Sequence, residues 1–234
     1  MKQNDDATGT SAAVDIKKRA ISRYLQALIL VGAFYFLPAG TWRFWQAWLW
    51  IAILFIPMAF VGRYLLRHDP ELLRRRLQFR EKRSTQKLFI KITSVYYFAA
   101  LLLPGFDHRY GWSNVPAGVI FLSDLLILVG YGLFFLVMRE NSFAARTVEI
   151  MPDQKVIQTG PYAVVRHPMY VAVSLMWVLT PLALGSWWAF LLMIPFPLSL
   201  VFRILDEEKT LVKDLPDYQA YMLKVKYRLL PGVW

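Results

Sequence analysis

Residues 159–170 read T-G-P-Y-A-V-V-R-H-P-M-Y and lie directly before a run of hydrophobic sequence. The Gly160–Pro161 step indicates a turn, because a proline disfavours the helical region for the residue before it. Pro168 suits the first turn of a helix, where a missing N–H costs nothing. The stretch therefore predicts a turn, a short polar surface and then a helix that begins at a membrane boundary.

Arg166 and His167 stand just before this predicted helix and form a cationic corner that is rich in hydrogen-bond donors. Helix N-termini and arginine side chains both bind carboxylates and phosphates. An isolated Arg-His-Pro motif is more often a boundary anchor with a histidine cap. The pair therefore indicates a binding site only if the rest of the chain supplies matching groups.

The composition is that of a protein with several membrane spans. Of the 234 residues, 57% are hydrophobic and 18% are charged, and long apolar stretches are then spans. The net charge of +11 indicates cytoplasmic loops that contact anionic lipid, so we expect no nucleic-acid partner. The chain has no cysteine and only three, widely separated histidines. Disulfides and thiolate catalysis are excluded, and no metal site is expected.

Apolar segments predict an all-α integral membrane protein with about six membrane-embedded helices. The segments cover about 21–37, 45–66, 88–103, 115–138, 168–184 and 187–204. The last two are near the lower length limit for crossing roughly 30 Å of hydrocarbon. They meet at Gly185–Ser186, and the Pro195-Phe196-Pro197 step bends the second. We expect a short hairpin, followed by a cytosolic helical tail over residues 203–234.

The distribution of basic residues predicts the topology. If all six segments cross, both termini share one side with the loops at 67–87 and 139–165, and the other side carries only Arg43 and Arg109. Positive charge accumulates on the cytoplasmic side, so the termini and residues 159–170 are expected there. The basic loop 67–87 is expected to lie on the membrane surface as an amphipathic segment.

Asp124 is an ionisable residue well inside the fourth apolar segment. Carboxylates at such depth usually face the interior of the helix bundle and are functional candidates. A structural hydrogen bond between helices explains such a residue equally well, and both readings stay open.

A second polar cluster, R-I-L-D-E-E-K-T-L at residues 203–211, begins at the end of the last apolar segment. Arg203 and Glu207 are four residues apart and share one helix face; alone, they read as a surface pair that adds little stability. Because the hairpin is short, however, we expect this cluster to lie near Arg166 and His167. Several aromatic side chains belong to the same predicted site: Tyr162, Tyr170, Tyr218 and Tyr221.

This combination suits a ligand that has an ammonium group, a carboxylate and a flat ring. A carboxylate pairs the amine, the Arg-His corner pairs the acid, and tyrosines pack on the ring. S-adenosylmethionine has these features, and so do other zwitterions.

The sequence resembles the isoprenylcysteine carboxyl methyltransferases, in particular their prokaryotic members, which are related to the phospholipid N-methyltransferases. The resemblance covers about residues 139–234 and is carried by residues 160–170, N-S-F at 141–143, residues 203–211, Y-Q-A-Y at 218–221 and Y-R-L-L-P-G-V-W at 227–234. It implies an integral-membrane methyltransferase. Residues 1–138 would form a polar segment and four spans, and residues 139–234 the catalytic region of the same continuous domain, with a cofactor pocket that faces the cytosol.

The resemblance also implies roles for individual residues. S-adenosylmethionine would contact Tyr162, His167, Pro168, Met169, Tyr170 and Glu207, together with the segment Gln154, Lys155, Val156 and Ile157. Arg203 would bind the polar end of the substrate, and Arg203 and Arg166 would be the catalytic residues. Many relatives have a histidine in place of Gln154. The substrate would be a lipophilic small molecule or a prenylated cysteine that enters from the bilayer.

The implied chemistry is an in-line displacement at the sulfonium methyl group. A carboxylate acceptor is already ionised at pH 7 and needs no general base. A phosphatidylethanolamine amine methyltransferase is an alternative, and it would need a base such as Glu208, Asp124 or Glu140. A sterol-type reductase that uses NADPH, and a non-catalytic membrane scaffold or lipid-binding protein, are the further alternatives.

Overall fold

The structure is a computed structural model that describes residues 2–77, 84–144, 151 and 154–234. Within these residues the chain forms nine α-helices and one 3-10 turn, and no strand. The helices are α1 (Lys2–Ala39), α2 (Trp45–His68), α3 (Pro70–Leu77), α4 (Ser84–Tyr110), α5 (Ala117–Glu140), α6 (Pro168–Ala183), α7 (Trp187–Met193), α8 (Phe196–Asp214) and α9 (Tyr218–Lys224), with the 3-10 turn at Gly160–Ala163. The prediction of an all-α protein is confirmed.

Four stretches among the described residues are long and apolar enough to cross a membrane. They are Asp15–Ala39, Trp45–His68, Ala117–Glu140 and Trp187–Asp214. A helix of 24 residues is about 36 Å long, which exceeds the hydrocarbon thickness. Helix α6 is apolar but shorter. The prediction of a membrane protein is confirmed, and the count of six embedded helices stays a prediction.

Helix α3 lies within the basic loop predicted at 67–87. Residues 78–83 of that loop lie outside the described residues. Leu72 and Leu73 are buried against α2 and α5. Arg74 is paired with Glu71 on the exposed side, at 2.6 Å. The helix is therefore amphipathic, and its apolar face packs on protein.

Helices α5 and α6 pack closely because Gly130 has no side chain. A Cβ atom at Gly130 would lie 3.0–3.2 Å from Met176, Leu175 and the carbonyl oxygen of Ala172. Small residues of this kind allow membrane helices to approach each other. The same pair of helices joins the apolar core to the 3-10 turn, since Tyr162 and Met169 pack on the cluster that contains Val137 and Met138.

The turn between α6 and α7 is fixed by a buried carboxylate on the other side of the core. Gly185 has φ +75, a conformation that glycine adopts without strain. The Ser186 hydroxyl accepts from the Ala189 N–H at 3.1 Å and donates to Asp107. Asp107 also accepts from the Ser113 N–H at 2.7 Å. Helix α4 therefore anchors the start of α7.

The chain breaks between α7 and α8, where prolines occur in the sequence. Helix α7 ends at Met193, and α8 begins at Phe196 and runs without interruption to Asp214. Pro195 precedes the new helix, a position that a missing N–H allows. As a result, Arg203, Glu207 and Glu208 all project from a single helix that begins among apolar residues.

Substitution of Gly130 by alanine should weaken the contact between α5 and α6. We expect Gly130→Ala to lower the midpoint of thermal unfolding, because the new methyl group forces neighbours to shift. Gly132 lies on the same helix, and no described atom lies within 4 Å of its Cβ position. Gly132→Ala should leave the midpoint unchanged or raise it, because alanine is more favourable than glycine in a helix by up to about 1 kcal/mol. Equal effects of the two substitutions would contradict this packing role.

Candidate functional site

A buried carboxylate, Glu208 on α8, joins three segments of the chain. Its side chain is about 6% exposed. One oxygen, Oε1, accepts from Nε of Arg166 at 2.8 Å and lies 3.2 Å from Nε2 of His167. The other, Oε2, accepts from Nε of Arg228 at 2.8 Å. The start of α6, the C-terminal half of α8 and the C-terminal segment (residues 225–234) therefore meet at one charge cluster.

Arg166 also holds the C-terminal segment through backbone groups. Its Nη1 donates to the carbonyl oxygens of Val225 and Lys226, both at 2.8 Å. Its own N–H donates to the carbonyl oxygen of Tyr227 at 2.9 Å. Arg166 is 6% exposed, and these contacts give it a positioning function within the fold. Its assignment as a catalytic residue stays a prediction.

A second polar group is centred on Glu207, the residue before Glu208 on α8. The Tyr170 hydroxyl donates to Oε2 of Glu207 at 2.6 Å and accepts from Nε of Arg203 at 2.9 Å. Arg203 and Glu207 lie one turn apart on the same face, and Tyr170 belongs to the first turn of α6. The predicted proximity of the two sequence clusters is therefore observed. The acid that contacts the Arg166–His167 pair, however, is Glu208 and not Glu207.

Tyrosines connect the 3-10 turn to α5 and α9. The Tyr162 hydroxyl accepts from Nδ2 of Asn141 at 2.8 Å, and burial raises the pKa of Tyr162 to about 12. The Tyr221 hydroxyl donates to the carbonyl oxygen of Tyr162 at 2.7 Å. The Tyr218 and Tyr221 rings are 5.7 Å apart. At neutral pH these phenols are uncharged and provide apolar ring faces with polar ends.

The segment Gln154–Ile157 reaches the same region through Val156, which packs on the cluster that contains Tyr218 and Tyr221. The Gln154 side chain is used locally, since its amide oxygen accepts from the Met151 N–H at 3.0 Å. Lys155 is exposed. Of the four residues predicted here, Val156 is the one whose side chain packs on the cluster that includes α9. The cofactor contacts of all four stay predictions.

The remaining predicted cofactor residues lie at the start of α6. Pro168 is fully buried and Met169 is half-buried against Val137 and Met138. The rings of His167 and Tyr170 are 5.8 Å apart. The start of α6 therefore links the two polar groups, since His167 contacts Glu208 and Tyr170 contacts Glu207.

Sequence reasoning missed the central position of Glu208 and the contribution of Arg228. Helical spacing contained the information for the first. Leu200 and Ile204 are buried, and Glu208 continues their stripe at intervals of four residues. A carboxylate in line with a buried stripe must find partners inside the protein. Nothing local marked Arg228, which lies over the Trp234 ring at 5.0 Å.

Asp124 lies far from this site. It is buried on α5, and neither carboxylate oxygen has a hydrogen-bond partner among the described residues. Sixteen residues separate it from Glu140, at the end of α5 that contacts Thr159. At 1.5 Å per residue this is about 24 Å along the helix axis. Asp124 therefore lies about 24 Å along α5 from the end that contacts the 3-10 turn.

Residues 119–216 match the family model of phospholipid methyltransferases. The match is somewhat under half of the chain and runs from α5 through α8, so it includes Arg166, His167 and Glu208 and the contact of Tyr170 with Arg203 and Glu207, but not Arg228. It indicates similarity to membrane methyltransferases, of a type that generally uses S-adenosylmethionine. No curated protein matches the chain.

Neutralising the central carboxylate should destabilise the protein strongly. We expect Glu208→Gln to cost about 3–5 kcal/mol, because it leaves the buried Arg166 guanidinium without its counter-charge. The measurement is the free energy of unfolding, or the thermal midpoint, of the purified protein in detergent or lipid.

The matched control is Glu71→Gln, which removes a carboxylate from an exposed pair with Arg74, 54% and 46% exposed. That change should cost no more than about 1 kcal/mol. If Glu208→Gln cost as little as Glu71→Gln, the Glu208 cluster would not hold the three segments together.

Proposed function

We propose that this protein is a membrane methyltransferase that transfers a methyl group from S-adenosylmethionine to the polar end of a lipophilic acceptor, a carboxylate of the isoprenylcysteine type. The observation that carries methyl transfer is the phospholipid methyltransferase match over residues 119–216. That stretch contains the contact of Arg166 and His167 with Glu208 and the contact of Tyr170 with Arg203 and Glu207. The proposed arrangement has about six embedded helices, with both termini and the site on the cytosolic side.

The side chains present fit such a methyl donor. Bound S-adenosylmethionine would supply a methyl group on a positively charged sulfur. Glu207 would pair with its ammonium group, and Tyr162, His167, Met169 and Tyr170 would line its apolar surface. Tyr170 contacts Glu207 and lies beside His167, and Tyr162 and Met169 pack together on the end of α5. The backbone of Gln154–Ile157 would complete the pocket, since Val156 packs on the neighbouring cluster.

Arg203 would bind the acceptor. Its Nε is fixed by the Tyr170 hydroxyl, next to Glu207, so the guanidinium charge is held where α8 leaves its apolar part. Leu198, Phe202 and Leu205 are exposed on the same helix, on a face that points away from Arg203 by helical spacing. A lipophilic chain would lie in the bilayer beside the apolar part of α8 while its carboxylate pairs with Arg203.

The surroundings of the candidate bases favour an acceptor that is already ionised. Both oxygens of Glu208 accept charge-assisted hydrogen bonds, which makes this carboxylate a poor proton acceptor. Asp124 is about 24 Å along α5 from Glu140, at the end of that helix beside the 3-10 turn. A carboxylate acceptor needs no base at pH 7, and alignment with exclusion of water then accounts for the rate.

Amine methylation is the second candidate, and the phospholipid methyltransferase match is the observation that favours it. Of the three bases considered from the sequence, Glu140 is then the available one. It lies beside the 3-10 turn, where it accepts a hydrogen bond from Thr159 and approaches Gly160.

Methyl transfer separates these candidates directly. The purified protein in lipid would be incubated with S-adenosylmethionine carrying a radiolabelled methyl group, and in parallel with farnesylated N-acetylcysteine or phosphatidylethanolamine. We expect base-labile label on the farnesylated cysteine, because methyl esters hydrolyse in base. Label on phosphatidylethanolamine alone would assign the amine branch. Absence of both transfer and cofactor binding would overturn the proposal.

Two substitutions test the division of roles between the residues around Tyr170. Glu207→Ala should weaken cofactor binding roughly tenfold to a hundredfold, the range expected for one charged hydrogen bond. Arg203→Ala should lower kcat/KM by about a hundredfold, because acceptor alignment is lost, while cofactor affinity stays near that of the wild type. Isothermal titration and initial rates measure the two effects.

The control for both is Lys209→Ala, which removes an exposed charge from the same helix and should change neither quantity. Normal cofactor affinity in Glu207→Ala, or a normal rate in Arg203→Ala, would remove that residue from its assigned role.

A further inference from the structure

Tyr218 has a buried hydroxyl group that lacks a hydrogen-bond partner in the described part of the chain. It lies at the start of α9 and is 4% exposed. Buried polar atoms of native proteins nearly always have a partner, so an unpartnered one calls for a ligand, an ordered water or a catalytic role.

The other tyrosines of the site differ from Tyr218 in this respect. The Tyr221 hydroxyl donates to the Tyr162 carbonyl oxygen, the Tyr162 hydroxyl accepts from Asn141, and the Tyr170 hydroxyl contacts Glu207. Each of these hydroxyl groups holds two elements of the protein together. The Tyr218 ring packs against Tyr221, but the Tyr218 hydroxyl makes no hydrogen bond to another element among the described residues.

The position of the hydroxyl links it to the polar groups of α8. Burial raises the pKa of Tyr218, the Glu208 and Glu207 carboxylates raise it further, and Arg166 lowers it. The Tyr218 hydroxyl is therefore influenced by these charges, and it has no hydrogen bond to them among the described residues. Val156 of the segment Gln154–Ile157 packs on the same cluster as Tyr218.

We propose that the Tyr218 hydroxyl binds the amino-acid end of the methyl donor and accepts a hydrogen bond from its ammonium group beside Glu207. This inference rests on the proposed function. The choice of the ammonium group follows from the surrounding charge, because two carboxylates near the hydroxyl favour a cationic donor over the carboxylate of the ligand. The bound ligand then supplies the partner that the protein does not provide.

The test measures ligand affinity and stability of the full-length protein in lipid nanodiscs. S-adenosylhomocysteine serves as the first probe, and 5′-methylthioadenosine, which lacks the amino-acid part, as the second. We expect Tyr218→Phe to weaken binding of S-adenosylhomocysteine about tenfold and to leave binding of methylthioadenosine unchanged. Comparison of one substitution with two ligands isolates the contact from general damage.

Stability without ligand provides an independent readout. Tyr218→Phe should keep the wild-type unfolding midpoint, since no protein contact is lost. Tyr221→Phe, the matched control, removes the hydrogen bond to Tyr162 and should lower the midpoint by about 2–4 °C or more.

Three results would overturn this inference while leaving the proposed function intact: equal affinity for S-adenosylhomocysteine in wild type and Tyr218→Phe, an equal loss for both ligands, or a lower midpoint of ligand-free Tyr218→Phe, which would mean that a protein group or water already holds the hydroxyl. If the wild type bound neither ligand, the proposed function would fall, and this inference with it.

Discussion

The ion pairs of the buried Glu208 carboxylate with its cationic neighbours are the interaction on which the site depends. An ionised carboxylate at the edge of an apolar core is tolerated only when charge and hydrogen bonds replace its lost water. Arg166, His167 and Arg228 provide them. These residues come from the start of α6 and from the C-terminal segment, so one buried charge fixes three parts of the chain that are far apart in sequence.

The adjacent glutamates on α8 have different environments because successive helix residues point about 100° apart. Glu208 faces inward and is saturated by cations. Glu207 faces the Tyr170 hydroxyl and Arg203 and is half-buried. The first therefore has a structural function, and the second keeps a carboxylate next to the space where a ligand would lie. The two neighbouring carboxylates therefore make separate sets of contacts on one helix.

The sequence by itself determined the features that depend on local composition and backbone chemistry. Hydrophobic runs predicted the helices because apolar burial is roughly additive along a segment. Gly160–Pro161 and Pro195 marked the turn and the helix break because proline restricts its own neighbourhood. The proximity of the 203–211 cluster to the start of α6 was predicted from the shortness of the two apolar segments between them, and the hydrogen bonds of Tyr170 with Arg203 and Glu207 confirm it.

Only the tertiary structure decided which groups meet across the chain. The rotation of α8 about its axis, set by packing of Leu200 and Ile204, turned Glu208 rather than Glu207 toward Arg166. The pairing of Arg166 and His167 with Tyr227 and Arg228 joins residues about sixty positions apart, and no local pattern encodes such contacts. The absence of a partner for the Tyr218 hydroxyl among the described residues is likewise visible only in the folded structure, because hydrogen-bond satisfaction is a property of the assembled interior and not of the residue type.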